Sequence, residues 1–413
     1  MVATGIGARV RHKEDQRFIT GAGRYTDDFD RPGQAWAHFL RSPHAHAIIR
    51  SIDTAAARAM PGVIAVLTGD DLAADKIGGL ICGWMIHSKD GTPMKAGAHP
   101  ALAQGKVRYV GDHVAVVIAE TLAQAKDAAE VIVVDYEALP AVVAAGEAQR
   151  AAVPIHEVAP DNTVYRWHLG DKGAVEQAFT RAKHVTKLDL TNNRLIPNPI
   201  EPRSAVGEYD RGTDSFTLYT TSQNPHVARL VLSAFIGIAP EHKLRVIAPD
   251  VGGGFGSKIF IYAEETVCVW AAKKVGRPVK WTSDRNEAFL ADAHGRDHVT
   301  HAELACDESG KIIALRVSTI DNLGAYLSTF SSSVPTYLYA PLLSASTPSR
   351  PFIATSTASI PTRLPWMPIA APGGRRRPSW SSGWWRSPRA RWASIRPSSV
   401  GATTSTSSRI RRR

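Results

Sequence analysis

The chain has 413 residues, 44% of them hydrophobic, which is enough to bury a substantial core and to form two or more domains. No apolar run reaches the ~18 residues of a membrane span, and the N-terminus lacks the basic-then-apolar layout of a secretory signal. The net charge of +11 invites nucleic acid, but Ala345 to Arg413 holds 13 Arg with no Lys, Asp or Glu, which leaves Met1 to Ser344 at −2.

Cys82, Cys268 and Cys306 lie far apart with no Cys-x-x-Cys spacing. They read as reduced core thiols of a cytoplasmic protein, and they leave this chain no cysteine-ligated iron–sulfur cluster of its own. The first 143 residues mix α and β in short pieces. Gln34 to Ile52 alternates as a strand, and Asp53 can cap a helix over Thr54 to Met60, ended by Pro61-Gly62. Val63 to Thr68, Val114 to Ala119 and Ile132 to Tyr136 read as strands, with an alanine-rich helix over Leu122 to Val131. His44 and His46 alternate on one strand face, but two ligands without a third group make a structural pair a better reading than a metal site. Pro140 to Pro160 reads as a connector.

Strands dominate again from about Ala174: Lys183 to Leu195, the pair Ser204 to Tyr209 and Phe216 to Thr221, and Leu244 to Ala248. Ser222-Gln223-Asn224-Pro225-His226 interrupts them ahead of an amphipathic helix over Val227 to Phe235. A Gln at a strand end both donates and accepts, which suits a polar ligand atom, though a helix-entry turn explains it equally. Next comes Val251-Gly252-Gly253-Gly254-Phe255-Gly256-Ser257-Lys258, between a short strand and a helix over Ala263 to Lys274. Its glycines permit positive φ and let backbone N–H groups face a bound group, with Phe255 as an apolar wall. Neither the P-loop nor the dinucleotide fingerprint fits, since Ser257 precedes Lys258 and stands where a third glycine belongs. On the motif alone, a tight strand-to-helix turn accounts for it best. A strand over Val279 to Ser283, a charged turn at Asp284 to Glu287, and a hairpin of Val299 to Asp307 and Ile312 to Asn322 complete the body.

Taken together, several phrases resemble one family: the molybdenum-cofactor-binding large subunits of the xanthine dehydrogenase, aldehyde oxidase and carbon monoxide dehydrogenase group. They are Gly21-x-Gly23-Arg24-Tyr25-Thr26-Asp27-Asp28, Arg41-Ser42-Pro43-His44-Ala45-His46, Val107-Arg108-Tyr109-Val110-Gly111, Glu201-Pro202-Arg203, Ser222 to His226, Val251 to Lys258, Gly276-Arg277-Pro278 and Gly324-Ala325-Tyr326. The resemblance implies a mixed α/β (α+β) fold: an α/β-hammerhead domain within residues 1–143, then the N-terminal part of a first molybdopterin-binding domain over 144–344. It also implies a molybdenum–pterin cofactor, in the cytosine dinucleotide form of many bacterial members. Gly253, Gly254 and Gly256 would set backbone amides against it, Phe255 would wall the substrate pocket and Gln223 would hydrogen-bond near the metal. No side chain here would ligate that metal. The family's partners are an FAD-binding medium subunit and a [2Fe–2S] small subunit. Ile259 follows Lys258 where the xanthine dehydrogenases carry Glu, which points to the carbon monoxide dehydrogenase-like or aldehyde-oxidising branch.

Residues 345–413 depart from the family. Their Ser, Thr, Pro, Arg and five Trp give no amphipathic period. Read one nucleotide earlier, Pro365 to Pro378 is compatible with Ala-Tyr-Arg-Gly-Ala-Gly-Arg, the family's next cofactor loop, in the version without the Cys of a copper–molybdenum centre. A frameshift near Ser344 and an unstructured tail are therefore expected. The family's general-base Glu lies beyond this chain, so no catalytic residue is assigned, and Glu201, Glu264 and Glu265 read as plain helix or strand-end charges. The expectation is an inactive fragment of a molybdenum hydroxylase that acts on a small substrate, with no nucleic-acid or membrane partner. The alternative is a non-catalytic binding protein whose Arg/Trp-rich tail captures nucleic acid or an acidic partner.

Overall fold

A computed structural model describes residues 12–343, 351–362 and 366–367. Four sheets organise them. The largest has seven strands in the order Leu244–Ile247, Ser215–Thr220, Ser204–Asp210, Val279–Thr282, Ala35–Arg41, His113–Ala119 and Val63–Thr68. Its two halves come from distant parts of the chain and meet where Ala35 and Trp36 run parallel to Val279 and Lys280. A second sheet of five strands contains Thr163–Gly170, Phe352–Ser359, Ile312–Asn322, His298–Cys306 and His184–Asn192. Ala47–Asp53 pairs with Lys106–Val107 and Val133–Ala138 in a third sheet, and His294–Gly295 with Trp366–Met367 in the fourth.

Helices pack on the large sheet. Leu122–Glu130 lays Ala125, Ala128 and Ala129 against Val66, Ala115 and Val117. Ala263–Val275 is buried continuously from Ala263 to Ala272, and it lies so close to the strand Ser204–Asp210 that a Cβ on Gly207 would sit 2.3 Å from Cys268 O. Gly276 ends this helix in the left-handed region at φ +68°. Cys82 and Cys268 are free thiols, and Cys268 and Cys306 are buried. No helix among the described residues is long and apolar enough to cross a membrane.

Most expected elements form within a residue or two, and the differences have local causes. Gln34 to Ile52 is two strands in two sheets, because Ser42 and Pro43 break the run and Ser42 Oγ accepts from His44 N–H. Asp284 to Glu287 starts a helix, Arg285–Ala291, since Asp284 caps it by accepting from Glu287 N–H at 2.8 Å. The strand Thr163–Gly170 and the helix Lys172–Thr180 were not anticipated; Asp171 caps the latter. His44 and His46 do not share a strand face: His44 packs on Tyr136, and buried His46 bonds Pro140 O through Nδ1 at 3.0 Å.

The expectation that everything beyond Ser344 lacks structure fails for residues 351–362. Phe352–Ser359 inserts between Ile312–Asn322 (parallel) and Thr163–Gly170 (antiparallel). Ladder hydrogen bonds do not depend on sequence, and Ala354, Ser356, Ala358 and Ser359 are small enough for the buried slot. Residues 368–413, with most of the shifted motif, lie outside the described residues.

Asp321 ties this strand in, accepting from Ser356 Oγ at 2.5 Å. Burial pushes its carboxyl up to about 8, against the opposing Ser356 hydrogen bond. His298 Nε2, 3.4 Å away, offers no charge, because burial lowers that imidazole to about 4. The folded chain thus holds a proton that the unfolded chain releases near pH ~4. The contribution of this carboxyl to stability should fall as pH rises between those two values, by up to ~1.4 kcal/mol per unit, and level off above. Asp321→Asn should flatten this slope in denaturant midpoints taken from pH 5 to 8. An unchanged slope would show that the carboxyl is ionised in the fold.

Candidate functional site

The strand Leu244–Ile247 delivers the glycine loop to the rim of the large sheet. Gly253 and Gly256 adopt φ of +93° and +99°, and Phe255 shares the left-handed region at +51° with a side chain attached. The Phe255 ring lies back over Gly253, where a Cβ would meet Phe255 Cε2 at 3.2 Å and Pro199 Cβ at 3.3 Å. At Gly254 the reason for glycine is contact, since a Cβ would stand 2.3 Å from Gln223 Oε1.

Gln223 holds the loop shut. Its Oε1 accepts from Gly256 N–H at 3.1 Å and Lys258 N–H at 3.3 Å, and its backbone N–H donates to Lys258 O at 2.7 Å. Two donors converging on one oxygen fix the amide orientation and leave Nε2 as a donor on an exposed residue. Among the described residues, no acceptor reaches the backbone N–H groups of Gly253, Gly254 and Phe255. A run of three backbone N–H groups in a glycine loop, without a protein acceptor, is an arrangement suited to an acceptor from outside the chain.

Beneath the loop lies a layer of buried charge. Lys258 is 1% exposed; its ammonium donates to Glu201 O at 2.8 Å and pairs with Glu201 Oε2 at 2.7 Å. Burial lowers the Lys258 ammonium, with Glu201 opposing. Glu201 Oε2 also accepts from Gly252 N–H at 2.6 Å. Deeper still, Arg203 donates to both oxygens of Glu264 at 2.9 and 3.0 Å and to Asp292 Oδ1 at 2.6 Å, with its guanidinium 3.7 Å from the Tyr262 ring centre. Arg41, from the N-terminal half of the sheet, pairs with Glu264 at 2.8 Å and Glu287 at 2.5 Å. Burial works against ionising Glu264, but Arg203, His113 and Arg41 outweigh it and hold that carboxyl well below the usual range. Tyr262 hydroxyl donates to Ser257 O at 2.6 Å, which connects this layer back to the loop.

Comparison with known proteins places the chain in a family. The "Molybdopterin cofactor-binding domain" profile matches residues 155–345, and the "Aldehyde oxidase and xanthine dehydrogenase, a/b hammerhead domain" profile matches residues 20–140. The chain belongs to the molybdenum-binding large-subunit family of xanthine dehydrogenase, aldehyde oxidase and carbon monoxide dehydrogenase. It is 39% identical to the carbon monoxide dehydrogenase large chain of Afipia carboxidovorans over 78% of this chain and 40% of that one. It is 35% identical to the nicotine 6-hydroxylase large subunit of Paenarthrobacter nicotinovorans over 78% and 38%. The quinoline 2-oxidoreductase structure from Pseudomonas putida 86 superposes with a TM-score of 0.81 at 33% identity, covering 87% of this chain and 45% of that one. The chain therefore spans about two-fifths of the length of these curated relatives.

Within this family fold, the five residues singled out from sequence, Gln223, Gly253, Gly254, Phe255 and Gly256, come together at one loop. Glu201, Glu264 and Glu265 are not plain terminal charges. Glu264 and Glu265 are buried, Glu201 is ion-paired to a buried lysine, and Glu265 accepts from Thr220 Oγ1 and Tyr262 N–H. Sequence reading also missed Lys258, Arg203, Asp292 and Arg41 as a connected layer. The available signal was Glu201-Pro202-Arg203 itself, two opposite charges flanking a proline beside a strand start.

Proposed function

We propose that this chain is part of the large subunit of a molybdenum hydroxylase or dehydrogenase, of the carbon monoxide dehydrogenase-like or aldehyde-oxidising type. Such an enzyme oxidises a small substrate with water as the oxygen source. The observation that carries this reading is the row of three open amides, Gly253 to Phe255, beside the Nε2 donor of Gln223. These donors fit an acceptor-rich pterin with its metal centre, and a Cβ at Gly254 would fill the space that Gln223 occupies. When bound, the molybdenum–pterin, in its cytosine dinucleotide form, supplies the redox chemistry. The chain's own residues place and screen it: the amides and Gln223 donate, Phe255 covers one side, and the Lys258–Glu201 pair fixes the loop's start and end.

Electrons pass to a [2Fe–2S] small subunit and an FAD-binding medium subunit. Relatives named as a large chain and a large subunit support that division. Ile259 after the loop, and greater identity to the carbon monoxide dehydrogenase large chain than to the xanthine dehydrogenase molybdenum-binding subunits, support the branch. The thiols of Cys82 and Cys268 suit a reducing, cytoplasmic setting. We also infer that the chain alone does not turn over, since Glu201, Glu264 and Glu265 are all engaged in hydrogen bonds or ion pairs and none stands ready as a base.

The test is chemical analysis of the full chain purified from a host that makes the cofactor. Pterin and molybdenum should co-purify with it and fall at least fivefold in Gln223→Ala. A folded chain carrying neither would refute the cofactor reading.

A further inference from the structure

We propose that the strand His184–Asn192 is a pairing edge for a second copy of this chain, which joins it antiparallel about a twofold axis at Leu188. The strand is an outer one of the five-stranded sheet, and no strand among the described residues pairs with its far side. None of its nine residues is buried. Folded chains blunt such an edge by keeping it short, by placing Pro in it or by bulging it. The other outer strands of the two largest sheets follow that rule. Leu244–Ile247 has four residues, and Val63–Thr68 and Thr163–Gly170 each carry a register shift against their neighbour. His184–Asn192 has no Pro or Gly, and it pairs with His298–Cys306 without a shift. It therefore presents a regular, undefended edge.

Charge selects the occupant. Lys187 and Asp189 lie on one face of the strand, with side chains 65% and 87% exposed. Lys187 pairs with Glu303 at 3.1 Å, Glu303 pairs with Arg316, and Asp189 Oδ1 lies 2.7 Å from His301 Nδ1. Signs thus alternate along the row Arg316, Glu303, Lys187, whose members stand directly opposite one another. In a pairing centred on Leu188, residues equally far from it face each other. Lys187 of one copy then faces Asp189 of the other, Val185 faces Thr191, and Thr186 faces Leu190. Symmetry makes each contact twice, and the row runs on into the second copy with its alternation kept. Sliding the strands by two residues either way would set Lys187 against Lys187 or Asp189 against Asp189, and like charges directly opposite are unfavourable. A purely acidic or purely basic partner would match one of the two charges and oppose the other. The strand is complementary to itself in one register.

Sedimentation velocity of the full chain should show a monomer–dimer equilibrium that weakens as salt is raised. Lys187→Glu and Asp189→Lys should each raise the dimer dissociation constant about tenfold or more, since two cross-strand contacts per dimer turn from attraction to repulsion. Mixed in equal amounts, the two variants should regain wild-type association, because every acidic side chain in the pair then faces a basic one. Under a copper–phenanthroline oxidant, Leu188→Cys should cross-link to itself well above the wild-type background. Thr186→Cys, placed opposite Leu190, should not. Thermal midpoints check that the charge variants keep their fold, and the cysteine pair decides the matter if either does not. A chain that stays monomeric overturns the proposal and leaves this edge to a segment of a longer chain or to another subunit. A dimer indifferent to both charge changes overturns it too, as does a mixture of folded variants that fails to associate. Equal cross-linking of the two cysteine variants has the same consequence.

Discussion

Arg203→Met should lower the unfolding free energy by about 3–5 kcal/mol, the range for removing one member of a buried ion-paired group. Arg203 is 1% exposed and is the shared cation of Glu264 and Asp292, both 0% exposed. Without it, Glu264 keeps Arg41, but Asp292 loses its cation while its Oδ2 already lacks a donor. Arg203→Lys should rescue little, because one ammonium cannot reproduce three directed N–H bonds. The pH dependence has a definite sign. Glu264 has a depressed folded value, so its contribution is present above the ordinary carboxylate range and is lost as pH falls through that folded value. The penalty of Arg203→Met should accordingly be larger at pH 7.5 than at pH 4.5 in urea unfolding. The double variant Arg203→Met/Glu264→Gln should cost less than the sum of the single changes. Strict additivity would mean that the two side chains do not act as a pair.

Gly254→Ala should have the next largest effect, and it should act on both stability and ligand retention. The added methyl would fall 2.3 Å from Gln223 Oε1 and 2.5 Å from Cδ, so the Gln223 side chain must leave. Its departure strips the acceptor from Gly256 N–H, which is buried, and from Lys258 N–H. Two unsatisfied donors in the loop put the loss at about 1–3 kcal/mol in denaturant unfolding. Pterin content should drop more than tenfold, since the row of open amides depends on the loop's closure. Gln223→Ala/Gly254→Ala should be no less stable than Gln223→Ala alone, because the clash partner is then gone. A further large loss in that double variant would place the reason for glycine elsewhere.

The sequence was most readable where a residue type had one physical use. The glycine run, the caps and the alternating strands could be read locally, and Gln223 stood out as a polar residue at a strand end. What sequence could not show was pairing across the chain. Glu264 opens a helix and so reads as an N-terminal charge, yet its partners Arg203 and Arg41 lie 61 and 223 residues away. Phe352–Ser359 was hidden for a different reason. Its composition belongs with the Arg-rich tail, but a strand slot between two existing ladders asks mainly for small side chains.

The large sheet also restricts how anything reaches the cradle. Ala35–Arg41 and Val279–Thr282 share backbone hydrogen bonds, and Arg41 reaches across to Glu264 and Glu287 below the loop. A clamshell motion between the segments matching the two family profiles would have to tear that ladder and strand buried charges. Any group that docks at the glycine loop therefore does so on a scaffold whose sheet and buried ion pairs stay in place.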